Sequence, residues 1–141
     1  TLQAIGDLYV DTHHTVEDVG IVLGKAFAEA LEDKSGIRRF GSAYVPMDEA
    51  LCFAAVDISG RAFLVLHAPV REERIGDFET ATLPEFMRAF AANAGITLHL
   101  KAEYGENGHH ILEGLFKALA HALKEASALG ASGVLSTKGL L

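Results

Sequence analysis

The sequence predicts a single α+β domain built from duplicated strand–helix units. Three observations carry this. Apolar periodicity alternates along the chain between steps of three or four residues and steps of two. The motif His-His-x-x-Glu occurs twice, at His13-His14/Glu17 and His109-His110/Glu113, each time after a strand pattern and at the opening of a helix pattern. No spacer between the copies reads as a domain linker, so one domain with an internal pseudo-repeat fits better than two domains.

Taken in order, Leu2 to Val10 shows short alternating stretches, broken near Gly6-Asp7, and is predicted as strand. Thr12 to Glu32 is predicted as helix, because Val16, Val19, Leu23, Ala26, Phe27 and Leu31 form one apolar stripe. Asp11 or Thr12 is positioned to cap its start, and Gly36 lies just beyond its end. Gly41 to Pro46 reads as a short strand or loop. Leu51–Val56 and Arg61–His67 are apolar strands separated by the turn residues Asp57-Ile58-Ser59-Gly60, which predicts a hairpin.

Pro69 to Phe78 reads as loop with some extended character. Thr82 to Asn93 is a second helix: Thr82-x-x-Glu85 has capping-box spacing, Pro84 falls in the first turn and Gly95 suits a C-terminal cap. Ile96 to Glu103 alternates as a strand. Gly108 to Leu129 is the third helix, with Leu112, Leu115, Phe116, Leu119, Ala122 and Leu123 expected to face inward. The tail from Ser132 to Leu141 is Gly/Ser-rich and expected to be mobile.

The bulk numbers narrow the function classes. With 141 residues, half of them hydrophobic and 22% charged, the chain has an ordinary soluble globular composition. A net charge of −7 without a basic stripe argues against nucleic acid and anionic membranes as partners. The apolar runs fall short of the ~20 residues a membrane span needs, and no signal peptide is visible. The one cysteine, Cys52, lies in the apolar run Leu51-Cys52-Phe53-Ala54-Ala55-Val56 and reads as a small core residue rather than a nucleophile. That cysteine usage fits a reducing, cytoplasmic setting.

The repeated motif carries the chemistry. From His13 to His109 the offset is 96 residues, and at that offset Leu23 falls on Leu119, Ala26 on Ala122 and Phe27 on Leu123. On a helix each Glu is three and four residues from its two histidines, so the pairs share a face. Adjacent histidines diverge by about 100° around the axis, so one doublet can serve two metals, or one metal and a supporting partner. Four imidazoles and two carboxylates suit Mn²⁺, Fe²⁺, Co²⁺ or Zn²⁺ and are too nitrogen-rich for Mg²⁺ or Ca²⁺. The competing reading, histidines that bond nearby backbone or face solvent, is good for one copy and poor for two in equivalent places. Arg38-Arg39, Arg61, Lys117 and Ser136-Thr137-Lys138-Gly139 are cationic or hydroxyl groups suited to an anion, although any one of them alone reads as a solvated charge.

The strings Asp11-Thr12-His13-His14-Thr15-Val16-Glu17-Asp18, Gly36-Ile37-Arg38-Arg39-Phe40-Gly41, Pro46-Met47-Asp48-Glu49, Asp57-Ile58-Ser59-Gly60-Arg61, His109-His110-Ile111-Leu112-Glu113 with Phe116-Lys117, and Ser136-Thr137-Lys138-Gly139 occur in this order. Together they resemble the imidazoleglycerol-phosphate dehydratase family of histidine biosynthesis along the whole chain. The resemblance implies a mixed sheet with helices packed on one face (ribosomal protein S5 domain 2-like). It implies a lyase that dehydrates imidazoleglycerol phosphate to imidazole-acetol phosphate, with two Mn²⁺ per site and trimers assembling into a homo-oligomeric 24-mer whose sites lie at subunit interfaces.

Carried over residue by residue, the metal ligands are expected to be His13, His14, Glu17, His109, His110 and Glu113, with Glu85 either a further ligand or the capping partner of Thr82. Substrate phosphate is expected to meet Arg39, Arg61, Lys117, Ser136 and Lys138. The metals would act as Lewis acids and templates, and a carboxylate, Glu17 or Glu113, would handle the carbon-bound proton. Asp48 is expected either behind a metal ligand or as a turn residue. Residues 1–35 correspond to the remainder of a first repeat that is incomplete, 36–131 to the second repeat, and 132–141 to a tail that closes on substrate. The family's opening segment has no counterpart here, so the natural chain is expected to continue upstream of Thr1. Two rival readings stand beside this one: a truncated, inactive relative that retains metal binding and assembly, and a di-metal enzyme acting on another small phosphate.

Overall fold

The computed structural model describes residues 1–130, 133, 135 and 136. Its elements are α1 (His13–Ala30), β1 (Phe40–Met47), β2 (Ala50–Asp57), β3 (Phe63–His67), the two-residue strands β4 (Arg74–Ile75) and β5 (Phe78–Glu79), α2 (Leu83–Ala94), β6 (Thr97–Tyr104) and α3 (Gly108–Ser127). Four strands form one mixed sheet in the order β1-β2-β6-β3, antiparallel except for the β6–β3 pair.

The helices α2 and α3 cover one face of this sheet, as expected for an α+β domain. Alternation on β2 and β6 turns Cys52, Ala54 and Val56, and Leu98, Leu100 and Ala102, toward them. They meet Ile111, Leu115, Ala118 and Ala122 of α3 and Met87, Phe90, Ala91 and Ala94 of α2, all buried. Cys52 belongs to this core. Its thiol lies 3.4 Å from the Ile111 carbonyl, and burial pushes its pKa up to about 11, so it is no nucleophile at neutral pH.

α1 packs on α2 rather than on the sheet. The predicted apolar stripe is not what it buries: Leu23 and Ala26 are exposed, Val16, Val19, Phe27 and Leu31 are half-buried, and the buried positions are Gly20 and Gly24. A Cβ at either glycine would come within 2.8 Å of the Phe86 carbonyl or 2.7 Å of the Phe90 carbonyl. The two backbones therefore approach too closely for a side chain between them. Phe27 closes the contact, its ring 6.1 Å from that of Phe90.

Three further expectations change. Leu2 to Val10 forms no strand: no described strand runs beside it to complete a ladder, and Ile5 and Tyr9 are 91% exposed. Strands β2 and β3 do not pair as a hairpin. β6 lies between them, and the true hairpin is β1–β2, closed by a tight turn at Asp48-Glu49. Ile58 and Ser59 are buried instead of turning at the surface. The Thr82/Glu85 capping box is absent, because residues 80–82 form a 3₁₀ turn in which the Thr82 hydroxyl donates to the Glu79 carbonyl, while Glu85 pairs with Arg88 at 2.5 Å. Gly95 does cap α2 in the left-handed conformation, φ 65°. On α3 the inward stripe holds, except that Phe116 sits at its rim against Phe86. No described helix is long and apolar enough to cross a membrane.

Candidate metal centre

The first turn of α1 presents His13 and His14. Asp11 Oδ1 accepts from the His13 backbone N–H at 2.8 Å and so starts the helix, while Thr12 makes no side-chain cap. His13 Nε2 faces Glu17 Oε2 at 3.6 Å, one helical turn on. His14 turns the other way, and its Nδ1 meets Asp7 Oδ2 at 2.8 Å. This hydrogen bond raises the His14 pKa and lowers that of Asp7. The two rings stand nearly perpendicular, 6.1 Å apart.

The second doublet opens α3 in the same way. Asn107 caps the helix, its Oδ1 accepting from the backbone N–H of His109 at 2.9 Å and of His110 at 3.3 Å. His109 Nε2 faces Glu113 Oε2 at 3.1 Å. His110 Nδ1 meets Glu49 Oε2 at 2.6 Å. The other oxygen, Glu49 Oε1, accepts from the backbone N–H of Asn107 at 2.8 Å and of Glu106 at 3.1 Å. Glu72 Oε1 takes the Gly108 N–H at 3.1 Å. Anionic acceptors gathered at a helix start suit the positive end of its dipole. The Asn107 N–H, then His110, then the Glu106 N–H hold Glu49 down to about 2. The same contact raises the His110 pKa.

Two neighbours finish the second site. Lys117 Nζ lies 2.6 Å from Glu113 Oε1, and it, ahead of His109, lowers the Glu113 pKa. Lys117 also rests 3.6 Å from Met47 Sδ. Asp48, with φ 47°, turns its carboxylate to 3.5 Å from His110 Nε2. Asp48 thus occupies the β1–β2 turn, one of its two expected roles, with its carboxylate near the Nε2 of His110. The stronger contacts come from Glu49 and, at the first doublet, from Asp7. Sequence reasoning passed over both, because nothing in the Pro-Met-Asp-Glu string tells which acid of the turn reaches α3.

The predicted phosphate contacts divide. Arg39 is clamped: Nε and Nη2 donate to Asp57 Oδ1 and Oδ2 at 2.7 and 3.2 Å, Nη1 donates to the Leu135 carbonyl at 2.7 Å, and the guanidinium carbon lies 4.8 Å from the Phe40 ring centroid. Arg61 reaches the same carboxylate at 3.9 Å and is otherwise exposed. Asp57 thus brings the two arginines together. Lys117 is joined to the second doublet rather than to that pair. Ser136 is among the described residues, whereas Lys138 and most of the predicted closing tail lie outside them. Glu85 is engaged by Arg88.

The donor types fit a transition metal: each doublet offers imidazole nitrogens and a carboxylate. His109 Nε2 and Glu113 Oε2 are spaced as two ligands at ~2.1 Å from one ion would be. Among the described residues, however, no group of three or more His, Cys, Asp or Glu side chains is arranged to hold a metal. Within those residues the doublets remain two separate partial sets of donors.

The comparisons with known proteins agree with one another. A family model described as imidazoleglycerol-phosphate dehydratase matches residues 1–123. The imidazoleglycerol-phosphate dehydratase of Thermoanaerobacter sp. is 59% identical over 140 residues, 98% of this chain and 72% of the relative. That of Clostridium novyi is 54% identical over 142 residues, 99% of this chain and 72% of the relative. Among solved structures, imidazoleglycerol-phosphate dehydratase from Staphylococcus aureus superposes with TM-score 0.84 at 41% identity, covering 91% of this chain and 72% of that one. The Pyrococcus furiosus enzyme gives 0.82 at 40%, covering 92% and 71%.

Proposed function

The chain belongs to the imidazoleglycerol-phosphate dehydratase family, and from that premise we propose that it is a hydro-lyase of histidine biosynthesis that removes water from imidazoleglycerol phosphate to give imidazole-acetol phosphate. The observation that supports this best is the matched wiring of the doublets. In each, the first His faces a Glu one turn on, and the second His bonds a carboxylate through Nδ1. Such matching, on a chain 54–59% identical to named dehydratases, favours a maintained binding site over two unrelated helix starts.

His13, His14, Glu17, His109, His110 and Glu113 would hold two Mn²⁺, which supply Lewis acidity and a template for the substrate imidazole. Glu113, kept in its carboxylate form by Lys117 and His109, is suited to accept a proton. Glu17 occupies the equivalent place beside His13. Arg39, Arg61, Lys117, Ser136 and Lys138 would grip the phosphate. Because the described residues form no three-donor cluster, the reading includes a site completed between copies of the chain, with trimers assembling into a 24-mer.

The deciding experiment is dehydration of imidazoleglycerol phosphate by chelator-stripped protein, with and without added Mn²⁺. Turnover restored by the metal is expected. No turnover from assembled, Mn²⁺-loaded protein would sink the reading. In parallel, His109→Ala and Glu113→Ala should lower the bound metal measured by elemental analysis.

A further inference from the structure

We infer that Glu49 and Asp7 are positioning residues that fix the proton on Nδ1 of the second histidine of each doublet, so that His110 and His14 present Nε2 as a lone pair, at His110 with the Asp48 carboxylate 3.5 Å away on the same side. The inference rests on the reading of these histidines as metal ligands, and it adds two residues from outside the repeated motif.

Carboxylates carry the argument. An ionised carboxylate accepts hydrogen bonds and donates none. Glu49 Oε2 lies 2.6 Å from His110 Nδ1, and Asp7 Oδ2 lies 2.8 Å from His14 Nδ1. At both short contacts the imidazole must therefore be the donor. A neutral ring carries one N–H, so its other nitrogen is an acceptor and able to ligate. This is the arrangement in which a carboxylate behind a histidine orients the ring and raises its basicity toward a metal. It occurs at the same position of both doublets, although the two carboxylates come from unrelated places: Asp7 precedes α1, and Glu49 sits in the β1–β2 turn. Among the described residues, the first histidines have no carboxylate at Nδ1. His13 and His109 instead turn Nε2 toward Glu17 and Glu113. Each doublet thus holds one ring bonded to a carboxylate through Nδ1 and one ring turned to a Glu through Nε2. Among the described residues, His110 alone of the two rings bonded through Nδ1 also has a carboxylate, Asp48, near its Nε2.

Glu49 allows a test that separates proton placement from support of the fold. Its Oε1 already accepts two backbone N–H groups. In Glu49→Gln the amide oxygen keeps that role, which leaves the NH₂ facing His110 Nδ1. The amide must then donate, and the ring proton is driven to Nε2. Metal-free, assembled protein labelled with ¹⁵N-histidine is examined by solid-state NMR at a pH where the rings are neutral, with His110→Ala assigning the signal. The wild type should show His110 protonated on Nδ1 and Glu49→Gln should show it protonated on Nε2. Mn²⁺ affinity, read by EPR titration, should fall by about 10- to 100-fold in Glu49→Gln with helix content unchanged. An Nε2-protonated ring in the wild type, or an unmoved proton in Glu49→Gln, overturns the inference. A moved proton with unchanged Mn²⁺ affinity overturns its link to the metal. Failure of the ligand reading itself shows differently, as unchanged Mn²⁺ affinity in His110→Ala.

Discussion

The Arg39 guanidinium and the Asp57 carboxylate meet in a two-point contact, Nε to Oδ1 at 2.7 Å and Nη2 to Oδ2 at 3.2 Å, with both side chains largely shielded from water. Asp57 ends β2 and is the register partner of Phe40 on β1, so the pair ties the segment entering the sheet to its second strand. The backbone at Arg39 has φ 71°, an unfavourable conformation for a residue with a side chain, which the surrounding contacts must hold.

The first prediction follows from that geometry. Lys has no planar fork, so Arg39→Lys loses the two-point contact and also the bond from Nη1 to the Leu135 carbonyl. Hydrogen bonds to charged groups are worth about 1.5–3 kcal/mol, and a loss of that order is expected in urea unfolding. If the variant unfolds within about 0.5 kcal/mol of the wild type, the size expected of a neutral surface change, the clamp is not stabilising.

The α1–α2 contact gives the second. A Cβ at Gly24 would lie 2.7 Å from the Phe90 carbonyl and 2.9 Å from Asn93 Cβ, neither of which is the free end of a flexible side chain. Gly24→Ala gains helix propensity, which by itself favours α1 by about 1 kcal/mol. Overpacking opposes it by about 1–3 kcal/mol, and here backbone meets backbone, so net destabilisation is expected. Because α1 carries His13 and His14, the displaced helix should also bind less metal at the first doublet. A variant as stable as the wild type by thermal unfolding, with full metal content, would mean that the helices separate without cost.

These cases also show what was legible in the sequence. The placement of the His-His-x-x-Glu doublets at two helix starts, with each Glu facing the first His, could be read directly, because spacing on a helix is local and needs no knowledge of neighbours. The core of α3 could be read for the same reason. The neighbour of a strand could not: alternation marks β2 and β3 as strands but does not say that β6 enters between them. Nor could the face of α1, where two glycines outweigh a stripe of larger apolar residues because the partner is a helix backbone at close range. Glu49 was hidden beside Asp48, since only the fold of the turn decides which of two adjacent acids reaches His110 Nδ1. The carboxylate that links Arg39 with Arg61 was hidden within a stretch read as a simple hairpin turn.

The third prediction concerns acid. Folding lowers the Glu49 pKa from its ordinary value of 4.5 to about 2, chiefly through the Asn107 N–H and His110. A group depressed in the folded state adds stability that is fully present above 4.5 and is lost as the pH falls through about 2. Its partner has the opposite sign: the His110 pKa is raised, so its contribution is complete below 6.5 and declines as the pH rises through the raised value. Between pH 4.5 and 2 the wild type should therefore lose stability more steeply than Glu49→Gln. Urea midpoints measured across that window for both proteins provide the check, and parallel curves would show that Glu49 is not tied to the start of α3.

The last prediction separates two roles for Lys117. The residue was expected to contact phosphate, and it also bonds Glu113 at 2.6 Å and is the largest cause of that carboxylate's lowered pKa. Replacing it by Met removes the charge while keeping a chain able to lie along Met47. Loss of a phosphate contact alone would raise KM and leave the Glu113 titration where it was. Loss of the Glu113 contact raises that carboxyl toward its ordinary value in the metal-free protein, where His109 remains to favour the charged form. Followed by ¹³C NMR in metal-free protein, Glu113 should therefore titrate at higher pH in Lys117→Met. Both effects together are expected: a raised KM in the Mn²⁺-loaded protein and a displaced Glu113 titration in the metal-free one. A titration that stays in place while KM rises would leave Lys117 as a phosphate ligand alone. A displaced titration with unchanged KM would do the reverse, assigning Lys117 wholly to Glu113.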